Sequence, residues 1–240
     1  MAWVNHSRYH WSSAMNDDRP LPPPVGGVNL GDLRRLTPIS RSFGFDRGQP
    51  IDRYYIERFL GRQAADIRGR VMEMGDRQYT TRFGGNRVVQ SDVLDLPRED
   101  AIHATIIADL TDCDHVASDQ FDCIIFTQTL QFIYDAAAAV ASLHRLLKPG
   151  GVLLATFPAL SQICRFDMDR WGDYWRFTTA SITRLLSDAF SREQVHVEAY
   201  GNVLTSIAFL TGLSAHELEP AELDFYDPDY QLLIAARAVK

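Results

Sequence analysis

The sequence predicts an α/β protein, a mostly parallel sheet with helices on both faces. Three observations carry that expectation. From Arg70 onward, short runs rich in β-branched and aromatic residues alternate with helical stretches, the pattern of βαβ units. The clearest helical stretch, Ala136 to Leu147, meets Lys148-Pro149-Gly150-Gly151 and then a new apolar run, because Pro and Gly stop a helix and turn the chain. Several strand-like runs end in polar or acidic residues, and an open parallel sheet binds its ligands beyond the carboxyl ends of its strands.

The elements follow in order. Residues 1–49 read as an arm and linker. Pro20 to Gly27 contains four prolines and two glycines, which excludes helix and central strand. Trp3, His6, Tyr9, His10 and Trp11 precede it and suit a docked arm or a lid over a pocket. Ile51, Tyr54, Tyr55, Phe59 and Leu60 recur at near-helical spacing, so a helix is expected over Pro50–Ala65. Strands are expected at Val71–Met74, Val88–Gln90, Ala104–Ala108, Phe121–Phe126, Val152–Phe157, Val195–Ala199 and Gln231–Val239. Thr179–Ala189, with Ile182, Leu185 and Leu186 on one face, is a further helix. A segment of about 158–178 interrupts the alternation and reads as an insertion on the substrate side.

Bulk composition narrows the function. The 240 residues are 46% hydrophobic and 23% charged, with a net charge of −7, an ordinary globular balance. Lys148 and Lys240 are the only lysines, and the arginines are scattered among acids. No basic face for phosphates is evident, which argues against a nucleic-acid partner. No apolar run approaches the roughly 20 residues of a membrane span, and the start lacks a secretion signal. Cys113, Cys123 and Cys164 are odd in number and far apart, so a reducing, cytoplasmic setting is expected and neither disulfide nor zinc site is. The histidines do not cluster with acids, so no metal is expected.

The strand ends carry the candidate ligand residues. The first ends in Glu73-Met74-Gly75-Asp76, where glycine lets the backbone approach a ligand. The second runs into Asp92, at the spacing where a carboxylate accepts two ribose hydroxyls. The third ends in Asp109 and Leu110, suited to an adenine amino group and the face of its ring, and the fourth steps out through Thr127. In the insertion, Trp171, Tyr174, Trp175 and Arg176 can hold a ring and an anionic group. Tyr55, with Arg53 and Tyr54, sits on the helix before the first strand.

At these residues the chain resembles class I S-adenosylmethionine-dependent methyltransferases. Val71-Met72-Glu73-Met74-Gly75-Asp76 is similar to their first motif, and Ala108-Asp109-Leu110 to their adenine-side motif. Leu143 to Leu153, through Leu-Lys-Pro-Gly-Gly, matches the type 11 methyltransferase-domain group. Trp171 to Thr178 resembles a Tyr-Trp-Arg-Phe segment of small-molecule and sugar-pathway members. The resemblance implies a Rossmann-like, seven-stranded sheet with an antiparallel last strand, forming a single domain over residues 50–240. It also implies S-adenosylmethionine as cofactor, S-adenosylhomocysteine as product, and methyl transfer to O or N of a small molecule in bacterial secondary-metabolite or sugar biosynthesis. In this frame Glu73, Gly75, Asp76, Tyr79, Asp92, Asp109, Leu110 and Thr127 bind the cofactor. Tyr55, Trp171, Tyr174, Trp175 and Arg176 bind the acceptor.

One departure stands out. The family's second and third motif glycines are replaced by residues of the run Arg77-Gln78-Tyr79-Thr80, and Gly84-Gly85 come too late to stand in for them. Asp76 and Tyr79 then have to complete the loop, and a non-catalytic partner subunit of the same fold is the alternative reading. A nicotinamide-dependent enzyme is disfavoured by the absence of Gly-x-Gly-x-x-Gly. No histidine is placed to serve as general base.

Overall fold

Period-two alternation along the strands sorts the apolar residues into two cores. Val71, Cys123, Ile125, Val152 and Leu154 face one way, and Met72, Ile124, Phe126, Leu153 and Ala155 the other. Each face needs a cover, and helices supply it on both sides. The computed structural model describes residues 21–99 and 101–240. The strands are β1 (Gly69–Met74), β2 (Val88–Asp95), β3 (Ile106–Ile107), β4 (Phe121–Thr127), β5 (Leu147–Pro158), β6 (Val195–Tyr200) and β7 (Leu233–Val239). They form one seven-stranded sheet in the order β3-β2-β1-β4-β5-β7-β6. All pairs are parallel except those of β7, which runs antiparallel to both β5 and β6.

The helices are α1 (Ile51–Arg62), α2 (Ala136–Leu146), α3 (Arg165–Met168), α4 (Thr179–Ser187), α5 (Val203–Thr211) and α6 (Pro220–Asp224). Ile51, Tyr55, Ile56, Phe59 and Leu60 of α1 join Ala208 and Phe209 of α5 in one core. Ala139, Val140, Leu143 and Leu146 of α2 join Ile182 and Leu186 of α4 in the other. Asp135 caps α2 through Ala138 N, and Thr178 with Ser181 makes a capping box on α4, satisfying N–H groups that the first turn leaves free. No helix among the described residues is long and apolar enough to cross a membrane.

Some elements differ from the sequence reading, among them β2, which runs on from Gln90 to Asp95. The third strand shrinks to two residues, although Thr105 N and Ala108 N on either side still bond β2 at Val93 O and Asp95 O and the Thr105 hydroxyl turns to Asp92. The helix at α5 gave no period in the sequence because it is apolar nearly all round (Val203-Leu204, Ile207-Ala208-Phe209-Leu210). The chain divides into compact units at Leu36/Thr37. Residues 37–49 are tied to the sheet domain by Ile39 N to Thr211 O, by Ala215 N to Gln49 O, and by the Arg47–Glu217 ion pair. The preceding unit is described from Leu21, with exposed residues and one short turn of 3-10 helix at Gly31–Leu33. The aromatic leader from Trp3 to Trp11 lies outside the described residues.

Candidate functional site

Strand order reverses between β1 and β4, since β2 and β3 lie on one side of that pair and β5 on the other. Carboxyl ends at such a switch point leave a crevice. Here it is a cavity of about 1110 Å³, at or beyond the upper end of the roughly 300–1,000 Å³ of ligand pockets. Its floor is made of strand tips: Met74, Gly75 and Asp76 after β1, Leu94 to Leu96 at β2, Ala108 to Leu110 after β3, and Gln128 and Thr129 after β4. Arg53 of α1 and Trp171 and Tyr174 of the insertion reach in from the sides.

Gly75 sits at φ +74°, and a Cβ built on it meets nothing within 4 Å. Its freedom is therefore used for backbone shape and an open approach, not for packing. The loop beyond it dispenses with further glycines by another device. Glu73, 3% exposed, turns its carboxylate away from the cavity and accepts Tyr79 N at 3.1 Å and Thr80 N at 2.7 Å. Burial pushes its carboxyl up to about 7, against the pull of those N–H donors. Asp76 closes the turn by accepting Gln78 N at 2.9 Å. Gly84 instead serves packing, because a Cβ there would lie 2.4 Å from Val88 Cγ2.

The acid at the second strand tip is Asp95, not Asp92. Asp92 pairs in register with Met72, inside the sheet, and Asp95 closes the strand three residues later, about 10 Å further along. Asp92 is 6% exposed and fully engaged: Arg70 Nε at 2.7 Å, Gln90 Nε2 at 3.0 Å and Thr105 Oγ1 at 3.1 Å. Asp95 lines the cavity, accepting Leu96 N at 2.8 Å and Arg98 Nη2 at 2.7 Å. The Arg98 guanidinium also lies over the Trp171 ring, 5.6 Å from its centroid. A carboxylate has about four acceptor sites, so Asp95 retains capacity for a diol.

The remaining sequence candidates divide cleanly. Gly75, Asp76, Asp109, Leu110, Trp171 and Tyr174 line the cavity. Glu73, Tyr79, Thr127, Tyr55, Trp175 and Arg176 do not. Tyr79 accepts from Arg53 Nη1 at 3.0 Å and packs on Phe83. Thr127 lends its carbonyl to Thr129 Oγ1, and the next residue, Gln128, is the one that faces the cavity. Tyr55 points to the other side of α1, where its hydroxyl donates to Leu223 O at 2.8 Å and its ring stacks on Tyr200. Trp175 donates Nε1 to Ile133 O at 3.1 Å and stacks on Tyr134. Arg176 is spent on Asp173, whose carboxylate is almost wholly buried, and on the carbonyls of Ser161, Gln162 and Trp175.

A smaller cavity of about 360 Å³ adjoins the first, sharing Arg53, Gln128, Phe132, Phe166 and Asp167 with it. Phe43 and Phe45 of the 37–49 segment, Asp52, and Gln131 complete much of its wall. Burial raises the Asp52 carboxyl above the usual carboxylate range, with Arg53 beside it pulling the other way. Gln131 is 5% exposed; its Nε2 donates to Gln128 O at 2.8 Å while its Oε1 has no donor, a deficit worth about 1–3 kcal/mol. Gln128 itself stands at φ +47°, a conformation uncommon for a non-glycine and concentrated at functional sites.

Residues 64–155, which span β1 to β5, match the sequence profile of a methyltransferase-domain family. Over these residues the chain is similar to methyltransferase domains. The fold agrees with that match. A S-adenosylmethionine-dependent methyltransferase from Archaeoglobus fulgidus superposes with a TM-score of 0.53 at 12% identity, covering 78% of this chain and 94% of that one. An N-methyltransferase from Bradyrhizobium japonicum, solved with S-adenosylhomocysteine, gives 0.52 at 15% identity over 81% and 89%. A [4+2]-cyclase gives 0.51 at 15% over 81% and 83%, a reminder that this architecture carries more than one chemistry. No curated protein sequence matches the chain.

Among the residues that line the two cavities, sequence reasoning missed Asp95, Gln128, Asp52 and the two phenylalanines of the 37–49 segment. Asp95 had a usable signal: Val93 and Leu94 continue the strand past Asp92, and Pro97 marks its end. Gln128 had none, because a left-handed backbone at a glutamine leaves no mark in composition.

Proposed function

We propose that this domain transfers the methyl group of S-adenosylmethionine to an O or N atom of a small molecule, in the cytoplasm, with no metal. A role in bacterial secondary-metabolite or sugar biosynthesis comes from the sequence resemblance alone. The observation that carries the reading is the convergence of four strand tips on one cavity, each bearing the chemistry that one part of the cofactor requires. Asp95 offers two carboxylate oxygens to the ribose diol. Asp109 and the Leu110 side meet the adenine, with Leu96 and Ile133 as apolar walls. Gly75 leaves the backbone open to the methionine end, and Asp76 is the acceptor for its ammonium group.

The cofactor supplies an electrophilic methyl on a sulfonium and leaves as a thioether. The chain's own task is then to align an acceptor lone pair, exclude water and take up a proton. Gln128, shared by both cavities, stands where the two reactants meet. The adjoining chamber is the natural place for the acceptor, and the 158–178 insertion closes it through Phe166, Asp167 and Asp173.

Calorimetric titration with S-adenosylhomocysteine tests the reading. Binding in the micromolar range is the expected result, and no heat at millimolar ligand would overturn it. Binding without methyl transfer to any of a broad panel of alcohols, phenols, carboxylates and amines would favour a partner subunit that has lost turnover.

A further inference from the structure

We infer that the smaller chamber is an amine site, so that the acceptor is a primary or secondary amine on an aromatic or apolar body. This rests on the methyltransferase reading above and deepens it. The argument is a count of what the chamber offers. Asp173 and Arg176 neutralise each other, and every N–H group of that guanidinium that the wall needs is already bonded. Arg53 donates to Tyr79 Oη and lies over the Phe45 ring at 5.9 Å, and its charge offsets one carboxylate.

Two carboxylates remain, Asp52 and Asp167. Asp52 accepts backbone N–H groups alone, its own and that of Arg53 at 2.8 Å, and Asp167 accepts the Cys164 thiol, a weak donor. Neither is in an ion pair among the described residues. With both of them ionised the chamber carries one negative charge in excess and a surplus of acceptors. Gln131 adds an independent sign of the same kind, since its Oε1 is buried at the wall with no donor. A ligand that fits must bring donors and a positive charge, as an ammonium does with its N–H groups and nothing to accept. Phe43 and Phe132 then face a cation and its apolar body, which aromatic rings favour, while Phe45 and Phe166 already carry the Arg53 and Arg170 guanidinium groups. A carboxylate or phosphate acceptor would meet like charge instead.

The chemistry balances as follows. The ammonium form binds between Asp52 and Asp167 and passes one proton to the Asp167 carboxylate, which borders both cavities. The freed nitrogen lone pair forms the N–C bond as it displaces the methyl group from the sulfonium, whose electron pair stays on sulfur as the thioether. The product leaves as a methylated ammonium ion, and Asp167 returns its proton to water.

The test uses the full chain loaded with S-adenosylhomocysteine and two probes of like shape and opposite charge, 2-phenylethylamine and 3-phenylpropionate. The amine is expected to bind at least about tenfold more tightly than the acid, the equivalent of one charge-assisted contact. Asp167→Asn and Asp52→Asn are each expected to weaken the amine by about tenfold, and Asp52→Asn, which lies outside the larger cavity, keeps S-adenosylhomocysteine affinity within about twofold. With S-adenosylmethionine, mass spectrometry should find the N-methylated amine. Equal or tighter binding of the acid, no amine binding at millimolar concentration, or amine affinity indifferent to both substitutions overturns the inference. If S-adenosylhomocysteine binds and any of these occurs, the amine site alone falls. If it fails to bind, the methyltransferase reading falls with it.

Discussion

The two cavities that meet at Gln128 are made by different means. The larger is floored by the tips of four parallel strands, whose positions are locked by the ladder pairs that hold β1, β2, β3 and β4 in register. Beyond the shared Gln128 and the turn after β4, the smaller is walled by pieces that lie outside those four strands: the 43–45 turn, the first turn of α1 and the 158–176 segment. A strand tip cannot shift without breaking register with its neighbours, whereas surface segments tolerate change and carry specificity. The first cavity is therefore suited to a fixed ligand and the second to a variable one.

The sharpest way to break that comparison is at β2. If strand tips carry the cofactor, Asp95→Ala should cost about 3 kcal/mol of S-adenosylhomocysteine binding, two hydrogen bonds to a charged acceptor, or roughly a hundredfold in Kd. Asp92→Ala should do the reverse. It strands Arg70, whose side chain is 29% exposed and keeps Gln120 and the Phe121 ring as partners, so a loss of about 1–2 kcal/mol of stability is expected with ligand affinity unchanged. Calorimetry and thermal melts on the same two variants separate the outcomes, and exchanged results would return the ribose to Asp92.

The second test asks whether Arg176 holds the chamber wall or the acceptor. Asp173 has a side chain only 1% exposed, and without Arg176 it keeps just Cys164 N at 3.0 Å. Arg176→Ala should then destabilise by about 2 kcal/mol, part of the cost of a stranded buried charge being relieved by the guanidinium's 26% exposure. Adding Asp173→Asn should recover most of that loss, since the pair acts as a unit. Full stability of Arg176→Ala with weakened acceptor binding would move Arg176 from wall to ligand.

These contrasts also explain what the sequence made legible. The sheet and its helices were readable because alternation and helical period are local: Val71 to Met74 and Ala136 to Leu146 announce themselves within a few residues. Gly75, Asp76, Asp109 and Leu110 were readable for the same reason, as punctuation at the end of an apolar run. Asp92 misled because β2 extends beyond its most β-branched stretch, and only pairing with β1 and β3 shows where it stops. The chamber was not legible. Phe45, Asp52, Gln131 and Asp167 come from four separate segments, and no spacing rule links residues that meet only after the chain has folded.

Glu73 gives a smaller, pH-dependent test of how the β1 loop is held. Its carboxyl is raised from 4.5 to about 7 in the folded chain, so the folded state binds more protons than the unfolded state between those values. Stability from this group is therefore fully present below about pH 4.5 and lost as pH rises through about 7. The shift caps the effect near 3 kcal/mol at roughly 1.4 kcal/mol per unit, and relaxation of the loop reduces it to the order of 1 kcal/mol. Glu73→Gln should flatten that slope in denaturant titrations at successive pH values. An unchanged slope would mean that Tyr79 and Thr80 N–H groups already hold Glu73 ionised.

The smallest expected effect lies at the junction itself. Gln128 adopts φ +47°, and its side chain gains little in return, reaching Thr156 Oγ1 only at 3.5 Å. A left-handed non-glycine residue costs about 1–2 kcal/mol, whereas glycine pays with extra freedom in the unfolded chain, roughly 0.5–1 kcal/mol. Gln128→Gly should therefore leave stability unchanged or raise it by about 0.5 kcal/mol, a shift of 1–2 °C in a domain of this size. If the side chain sits between the reactants, the same substitution should lower the methyl-transfer rate with any accepted substrate while leaving S-adenosylhomocysteine affinity nearly intact. A variant that melts several degrees lower would show that the glutamine holds the strand end together, and the strain at the junction would then have a structural cause and no catalytic one.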